Sequence, residues 1–333
     1  MKEETFLNII KSILPESVKY IGDDTAYIPE KDLILTQDTL IENVHFRHNT
    51  INPYYLGRKS VAVNLSDIAA SGGIPQYILI SLSMPENTDE SFIKEFYKGV
   101  NSICQEYSTV VIGGDLTAAK EISISICAVG SGEGLIPASR RTAKPGDVII
   151  VTGNFGSSAT GLSLLEEIFN ETVAISEISE EIKKKFINSH INPVPRIAEG
   201  REILKLADKP AMMDSSDGLG DALYKICQAS NVGMEIDFEE IPYDKDIWEV
   251  FADENTVINR VLFGGEDYEL VATVSEEIYE KLKKEIFVKK IGAVKSVDEK
   301  SGAYVKFKDG KSLKIDSKTL NSSAFQHFRQ IKK

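Results

Sequence analysis

Apolar positions along this chain switch between the two-residue period of strands and the three-to-four-residue period of helices. In the first half, Thr5 to Leu14 carries a short helical pattern that Pro15 ends. Asp32 to Thr36 predicts a strand. Asn52-Pro53 then supplies an N-cap and a first-turn proline for a helix towards Ser71, where Gly72-Gly73 stops it. Gln76 to Met84 predicts a strand, Asp89 to Tyr107 an amphipathic helix and Thr109 to Ile112 a buried strand. From Glu121 to Gly130, serines alternate with isoleucines, the period of a half-exposed strand.

Between Gly130 and Gly146 the composition turns to Gly, Pro, Arg and Lys, which marks a domain boundary. It divides the chain into an N-terminal domain, 1-138, and a C-terminal domain, 139-333. Beyond it, Asp147 to Thr152 predicts a strand, and Gly153-Asn-Phe-Gly-Ser-Ser leads into a helix ending near Phe169. Thr172 to Lys185 is polar and charged, an exposed helix or a mobile insertion. Pro193 and Pro195 open a further helix; a strand at Ala211 to Met213 then precedes an Asp-rich turn and a helix to Ala229. Tyr304 to Ile315 alternates across Asp309-Gly310, a strong hairpin signal. The fold class is α/β plus α+β.

At 333 residues, two domains are the expectation. A net charge of -13 without any Lys/Arg-rich stripe argues against nucleic acid as a partner. No apolar run approaches the roughly 20 residues of a membrane helix. Cys104, Cys127 and Cys227 form no CxxC pair and sit in apolar segments, so buried thiols in a reducing cytoplasm are expected.

Six short segments run from apolar residues into Asp or Glu: Tyr20 to Asp24, Leu35 to Asp38, Val63 to Asp67, Val110 to Asp115, Met212 to Gly218 and Leu262 to Asp267. Ionised groups resist leaving water, and few basic residues adjoin these segments in sequence. Any one Asp is readily a turn or helix-cap carboxylate, and Asp217 in Asp217-Gly-Leu-Gly-Asp suits a cap. Recurrence in half-buried settings fits that reading poorly. Hard divalent cations answer the charge, and Mg²⁺ usually brings a phosphate ligand. A metal-dependent nucleotide enzyme is therefore the leading expectation.

Other signatures fail. Gly310-Lys311-Ser312 resembles the end of a P-loop, but Val305 stands where that motif needs glycine. Gly153-Asn-Phe-Gly156 precedes a helix whose free N–H groups suit either an anion or a cap. His45 and His48, three apart in a non-helical segment, do not suggest a zinc pair.

Taken together, Gly22-Asp-Asp24, Asp38-Thr-Leu-Ile-Glu-Asn-Val-His-Phe46, Asn64-Leu-Ser-Asp-Ile-Ala-Ala70, Gly113-Gly-Asp115, Ala143-Lys-Pro-Gly-Asp147, Val151-Thr-Gly153, Ser216-Asp-Gly-Leu219, Gly264-Gly-Glu-Asp-Tyr-Glu-Leu270 and Phe325-Gln-His-Phe328 resemble the thiamine-monophosphate kinase family. That family lies in the superfamily of aminoimidazole ribonucleotide synthetase and selenophosphate synthetase. The resemblance implies an N-terminal α/β domain that dimerises through its strands, a C-terminal α+β domain, and ATP-dependent phosphorylation of thiamine monophosphate. It implies several Mg²⁺ ions on Asp24, Thr36, Gln37, Asp38, Asp67, Asp115, Asp214 and Asp217, with Gln37 acting through its carbonyl. It implies ATP contacts from Tyr97, Gly114, Asp115, Ser216 and Arg140 (or its neighbour Arg141), and substrate contacts from His45, Glu266 and Phe325. Asp38, Asp67 and Asp217 are the residues expected to carry catalysis. The chain departs from the family pattern at Gln37, Arg141-Thr142 and Ser215. The alternatives are a superfamily relative with another acceptor, for which a selenophosphate-type cysteine is lacking near the N-terminus, and a non-catalytic Mg-nucleotide sensor.

Overall fold

The computed structural model describes residues 2–14, 21–169, 177–297 and 302–323. Two sheets organise the chain. The first runs β1 (Ala26–Ile28), β2 (Leu33–Ile41), β5 (Ser123–Ser131), β3 (Ile74–Met84), β4 (Val110–Ala118), in that spatial order. One of its faces carries Ile34, Leu40, Ile78, Ile80, Leu82, Ile124 and Ile126 against helices α2 (Pro53–Ala70) and α3 (Glu90–Glu106). The period-two patterns of β3 and β5 therefore mark a sheet covered on one side. Helices α2 and α3 cross at Gly57 and Gly99. A Cβ on Gly57 would sit 2.1 Å from Phe96 O, and one on Gly99 1.9 Å from Tyr54 O, so the crossing tolerates no side chain there.

The second sheet has the order β12 (Ser312–Ile315), β11 (Gly302–Lys306), β8 (Gly233–Asp237), β10 (Lys289–Lys295), β6 (Val148–Val151), β9 (Leu270–Val274), β7 (Ala211–Asp214). Strands β11 and β12 form the hairpin expected across Asp309-Gly310. Helices α4 (Ser157–Phe169), α5 (Glu180–Ile191), α6 (Ile197–Leu206), α7 (Leu219–Ser230), α9 (Glu254–Phe263), α10 (Glu276–Glu285) and α11 (Ser317–Ser323) complete this half, with the one-turn α8 (Ile247–Val250) before α9. Helix α1 (Lys2–Ile13) matches the opening periodicity.

Helix α2 joins the two halves. It is buried almost all round, from Leu56 to Ala70, as expected of a helix with no solvent face. Its last turn meets Ile203 of α6, Met212 of β7 and Leu270 of β9. Asn52 caps its start by accepting from Tyr55 N, as its sequence predicts.

One expectation needs correcting. The strand at Thr109 to Ile112 is β4, which runs on to Ala118 and is exposed throughout. It is an edge strand, so hydrophobic composition did not imply burial within this chain. Gly114 and Asp115, the expected ATP contacts, lie in the middle of this strand. The polar stretch after Thr172 lies partly outside the described residues, and its end is helix, capped by Ser179 at the start of α5. Among the described residues no helix is long and apolar enough to cross a membrane.

Candidate active site

Three of the six acidic segments bring a carboxylate together where α2 meets the edge of the second sheet. Asp24 precedes β1, Asp67 sits one turn from the end of α2, and Asp214 ends β7. One carboxylate oxygen from each lies within 4.8 Å of the others. Local chemistry fixes them. Ser66 Oγ donates to Asp214 at 2.6 Å, and Thr36 Oγ1 to Asp67 at 2.5 Å. Asp38 lies in β2 beyond the reach of β1, so its N–H turns instead to Asn64 Oδ1 on α2 at 2.9 Å. Asn64, Ser66 and Asp67 lie within one turn of α2 and bond the strands around it, Asn64 and Asp67 to β2 and Ser66 to β7.

Burial, and then the charges of Asp214, Asp38 and Asp24, push the Asp67 carboxyl well above its ordinary value. Burial, with Asp24 beside it, raises Asp214 to about 7, although Ser66 opposes the shift. Three converging carboxylates with an all-oxygen donor set are a poor match for an empty apolar pocket and a good match for a hard cation.

Basic residues distant in sequence also arrive. Arg140 donates to Asp24 through Nε at 3.3 Å and Nη2 at 2.5 Å, while Arg141 pairs with Asp23 nearer the surface. Burial opposes the Arg140 charge, but Asp24 beside it raises its pKa further. Lys225 of α7 reaches Asp221 at 2.6 Å and Asp217 at 3.3 Å. The expected shortage of positive charge is thus only local to the sequence. Asp217 does not cap α7 either: the N-cap is Gly218, at φ 99°, without a side-chain bond.

The Gly264-Gly-Glu-Asp-Tyr268 segment forms a second wall. Glu266 (φ 67°) and Tyr268 (φ 54°) both hold left-handed backbone, which costs of the order of 1 kcal/mol each and needs support from the surroundings. Glu266 N donates to Ser216 O at 2.7 Å, linking this wall to the turn that follows Asp214. Asp267 accepts from Gly156 N at 2.6 Å and Ser158 N at 2.8 Å. The helix start that would suit an external anion is therefore filled by the chain's own carboxylate, which burial raises to about 7 despite these donors.

His45 accepts from Ile41 N through Nδ1 at 2.9 Å, which puts the proton of the neutral ring on Nε2. His48 meets Glu42 instead, at 3.1 Å, so the two histidines diverge.

Other expected ligands lie elsewhere. Gln37 is exposed on the face of β2 opposite Thr36 and Asp38, leaving only its carbonyl for ligation. Asp115 pairs in register with Ser81, whereas Gly114 pairs with Ile80 on the helix-covered face. Asp115 therefore faces away from the helices, three strand spacings (about 14 Å) from β2. Within one chain it does not join the cluster. With Tyr97 and Gly114 it lines an open depression of ≈ 670 Å³ at the β4 edge. Phe325 lies outside the described residues.

The chain matches the family model "AIR synthase related protein, N-terminal domain" over residues 22–131 and its C-terminal counterpart over residues 144–304. It is 36% identical to thiamine-monophosphate kinase of Bacillus subtilis, covering 97% of this chain and 99% of that one. It belongs to the thiamine-monophosphate kinase family. The Aquifex aeolicus member is 33% identical over 97% of this chain and 96% of its own length. Among solved structures, AaThiL complexed with AMPPCP and TMP superposes with a TM-score of 0.84, at 34% identity and 98% coverage of both chains. A thiamine-monophosphate kinase from Stenotrophomonas maltophilia gives 0.74 at 28% identity, covering 89% of this chain and 88% of that one. The hydrogenase maturation protein HypE, at 16% identity and a TM-score of 0.66, shares the fold.

Against this family pattern, Ser215 has a visible use: its Oγ accepts from Glu269 N at 3.1 Å. Sequence reading missed Lys59, His190 and Lys225. The signal available for Lys59 was a cation, next to Arg58, that opens a run of small or apolar helical residues from Ser60 to Val63.

Proposed function

We infer that this protein transfers the terminal phosphoryl group of ATP to thiamine monophosphate, giving thiamine diphosphate and ADP. The observation that carries this is the convergence of Asp24, Asp67 and Asp214 beside Arg140 in a chain whose full-length relatives are kinases of that substrate. Asp24, Asp67 and Asp214 would hold Mg²⁺, with Asp38 beside them, Thr36 and the Gln37 carbonyl as further oxygens, and Asp217 serving another ion. Bound there, Mg²⁺ would neutralise phosphate charge so that two anions can approach. Asp38, Asp67 and Asp217 fix that arrangement and so carry catalysis. Arg140, nearer the cluster than Arg141, orients ATP phosphate, with Ser216 beside it. His45 and Glu266 face the acceptor, and Phe325 belongs to the same substrate set.

The acceptor oxygen is already ionised near neutral pH, so no strong general base is required. It bonds to the γ-phosphorus as the bond to the β-bridging oxygen breaks, and ADP leaves with that electron pair. Such direct transfer inverts the γ-phosphorus; net retention with chiral ATP would replace it with a two-step route. The primary test is chromatography of thiamine diphosphate after mixing protein, thiamine monophosphate, ATP and Mg²⁺. Stoichiometric ADP and product support the reading, and absence of product ends it.

The division into 1-138 and 139-333 is part of this reading, with Asp24, Asp38 and Asp67 on one side and Asp214 and Asp217 on the other. So is a homodimer. Val110 (54% exposed), Ile112 (54%) and Leu116 (64%) line β4, with Tyr77 and Leu79 on the adjoining open sheet face. An unpaired apolar edge of this kind invites a second copy. Pairing there would bring the partner's copy of the Tyr97, Gly114 and Asp115 depression towards the cluster and complete the ATP site. Ile112→Asp is expected to shift the protein to monomer in size-exclusion chromatography with light scattering, and to lower kcat/KM for ATP at least tenfold. An active monomer would separate the dimer from catalysis. A reducing cytoplasm is the proposed setting, in keeping with the unpaired thiols of Cys104, Cys127 and Cys227.

A further inference from the structure

Lys59 lies in the first half of α2 with 1% of its surface exposed. Its ammonium meets Glu266 Oε1 at 3.0 Å and His190 Nε2 at 3.5 Å. An ammonium can only donate, so His190 Nε2 accepts and the imidazole proton sits on Nδ1. Nδ1 lies 3.0 Å from Ser158 Oγ and 3.5 Å from Glu266 Oε2. Each oxygen of Glu266 is therefore approached from the interior, one by Lys59 and the other by His190. The side chains of Lys59 and His190 are 1% and 6% exposed, whereas that of Glu266 is 25% exposed.

Packing alone does not call for this arrangement. An apolar side chain of similar length would fill the Lys59 position without desolvating an ammonium. A buried lysine here makes sense if Glu266 must remain ionised and immobile. The left-handed backbone at Glu266 and Tyr268 has the same implication, because it aims the carboxylate at a conformational cost.

We propose that Lys59 and His190 are positioning residues that hold Glu266 as a fixed anion for the phosphate-free, nitrogen-ring end of the acceptor. The inference rests on the kinase reading and assigns to that site the pair of residues that sets its preference for a cationic or amine-bearing ring. The charged and titratable groups facing Glu266 are Lys59 from α2, His190 from α5, His45 from the segment after β2, and Tyr268 from its own loop. Burial works against ionisation of Glu266, but the charge and hydrogen bond of Lys59 oppose it and the carboxyl lies below its ordinary value.

The test compares full-length wild type, Lys59→Met, Glu266→Gln and the double variant by steady-state kinetics, varying each substrate from about pH 6 to about pH 9. Lys59→Met is expected to raise KM for thiamine monophosphate about tenfold, with KM for ATP moving less than about twofold. Its kcat/KM for thiamine monophosphate should also gain an acidic limb, because the carboxyl loses its cation. In the Glu266→Gln background, Lys59→Met should add no further rise in KM. Should Lys59→Met fail to fold, the double variant removes both charges together, and His190→Leu probes the other oxygen with the same expected KM split. Equal loss for both substrates, additive effects in the double variant, or an unmoved pH profile would overturn the inference alone. Wild-type protein that forms no thiamine diphosphate overturns the kinase reading and this inference with it.

Discussion

Asp67→Asn is expected to lower kcat for thiamine diphosphate formation about a thousandfold, while the metal-free protein melts higher than wild type. The two effects have one cause. Asp67 is ringed by Asp24, Asp38 and Asp214, and burial adds to their repulsion in pushing its carboxyl up. Asparagine keeps the shape and still accepts from Thr36, so the local hydrogen bonding survives. What disappears is one negative charge that destabilises the empty site and would hold a cation in the loaded one. Thermal melts with and without Mg²⁺, run beside the product assay, check both halves. Near-native turnover would remove Asp67 from the catalytic set. A lower metal-free melting temperature would mean that its packing outweighs its charge.

The second large effect is in the coupling of stability, pH and Mg²⁺. The Asp214 carboxyl has an ordinary value of 3.8 and is raised to about 7 in the fold, so the folded state keeps a proton that the unfolded chain has lost. The stability linked to this group is fully present below pH ~4 and falls as pH rises through about 7. A shift of that size corresponds to roughly 4 kcal/mol, shared among the neighbouring carboxylates. Asp267, also raised to about 7 by burial, acts with the same sign but outside the cluster. His190 acts in the opposite sense. Burial and Lys59 lower it to about 4, so its contribution falls as pH drops from about 6.5 towards 4. Because neither Asp267 nor His190 belongs to the cluster, the informative quantity is the difference made by Mg²⁺. The Mg²⁺-induced rise in melting temperature should be small near pH 5 and several degrees near pH 8. A rise independent of pH would place the cation away from Asp67 and Asp214.

Much of this molecule follows from local pattern. Alternation of serine and isoleucine gave β5, Asn52-Pro53 gave the start of α2, and Asp309-Gly310 gave the last hairpin, because each depends on residues within a few positions of one another. The resemblance carried by the Asn64 to Ala70 and Gly264 to Leu270 blocks identified the family, since each block packs several site residues into one turn or loop. Where neighbours were distant in sequence, local reasoning fell short. It missed the compensation of Asp24 by Arg140 and of Glu266 by Lys59, contacts that span 116 and more than 200 positions. It left Asp217 open between a helix cap and an ion ligand, and the fold turns that carboxylate to Lys225.

The sequence by itself therefore determined the elements, the family and the stock of oxygen ligands, because periodicity, turn chemistry and contiguous motifs are short-range properties. Only the tertiary structure decided which carboxylates meet. It gathered Asp24, Asp67 and Asp214 around the end of one buried helix and left Asp115 on the far face of the first sheet. That choice depends on strand order and sheet face, which are set by packing across the whole chain and leave no trace in the spacing of any single segment.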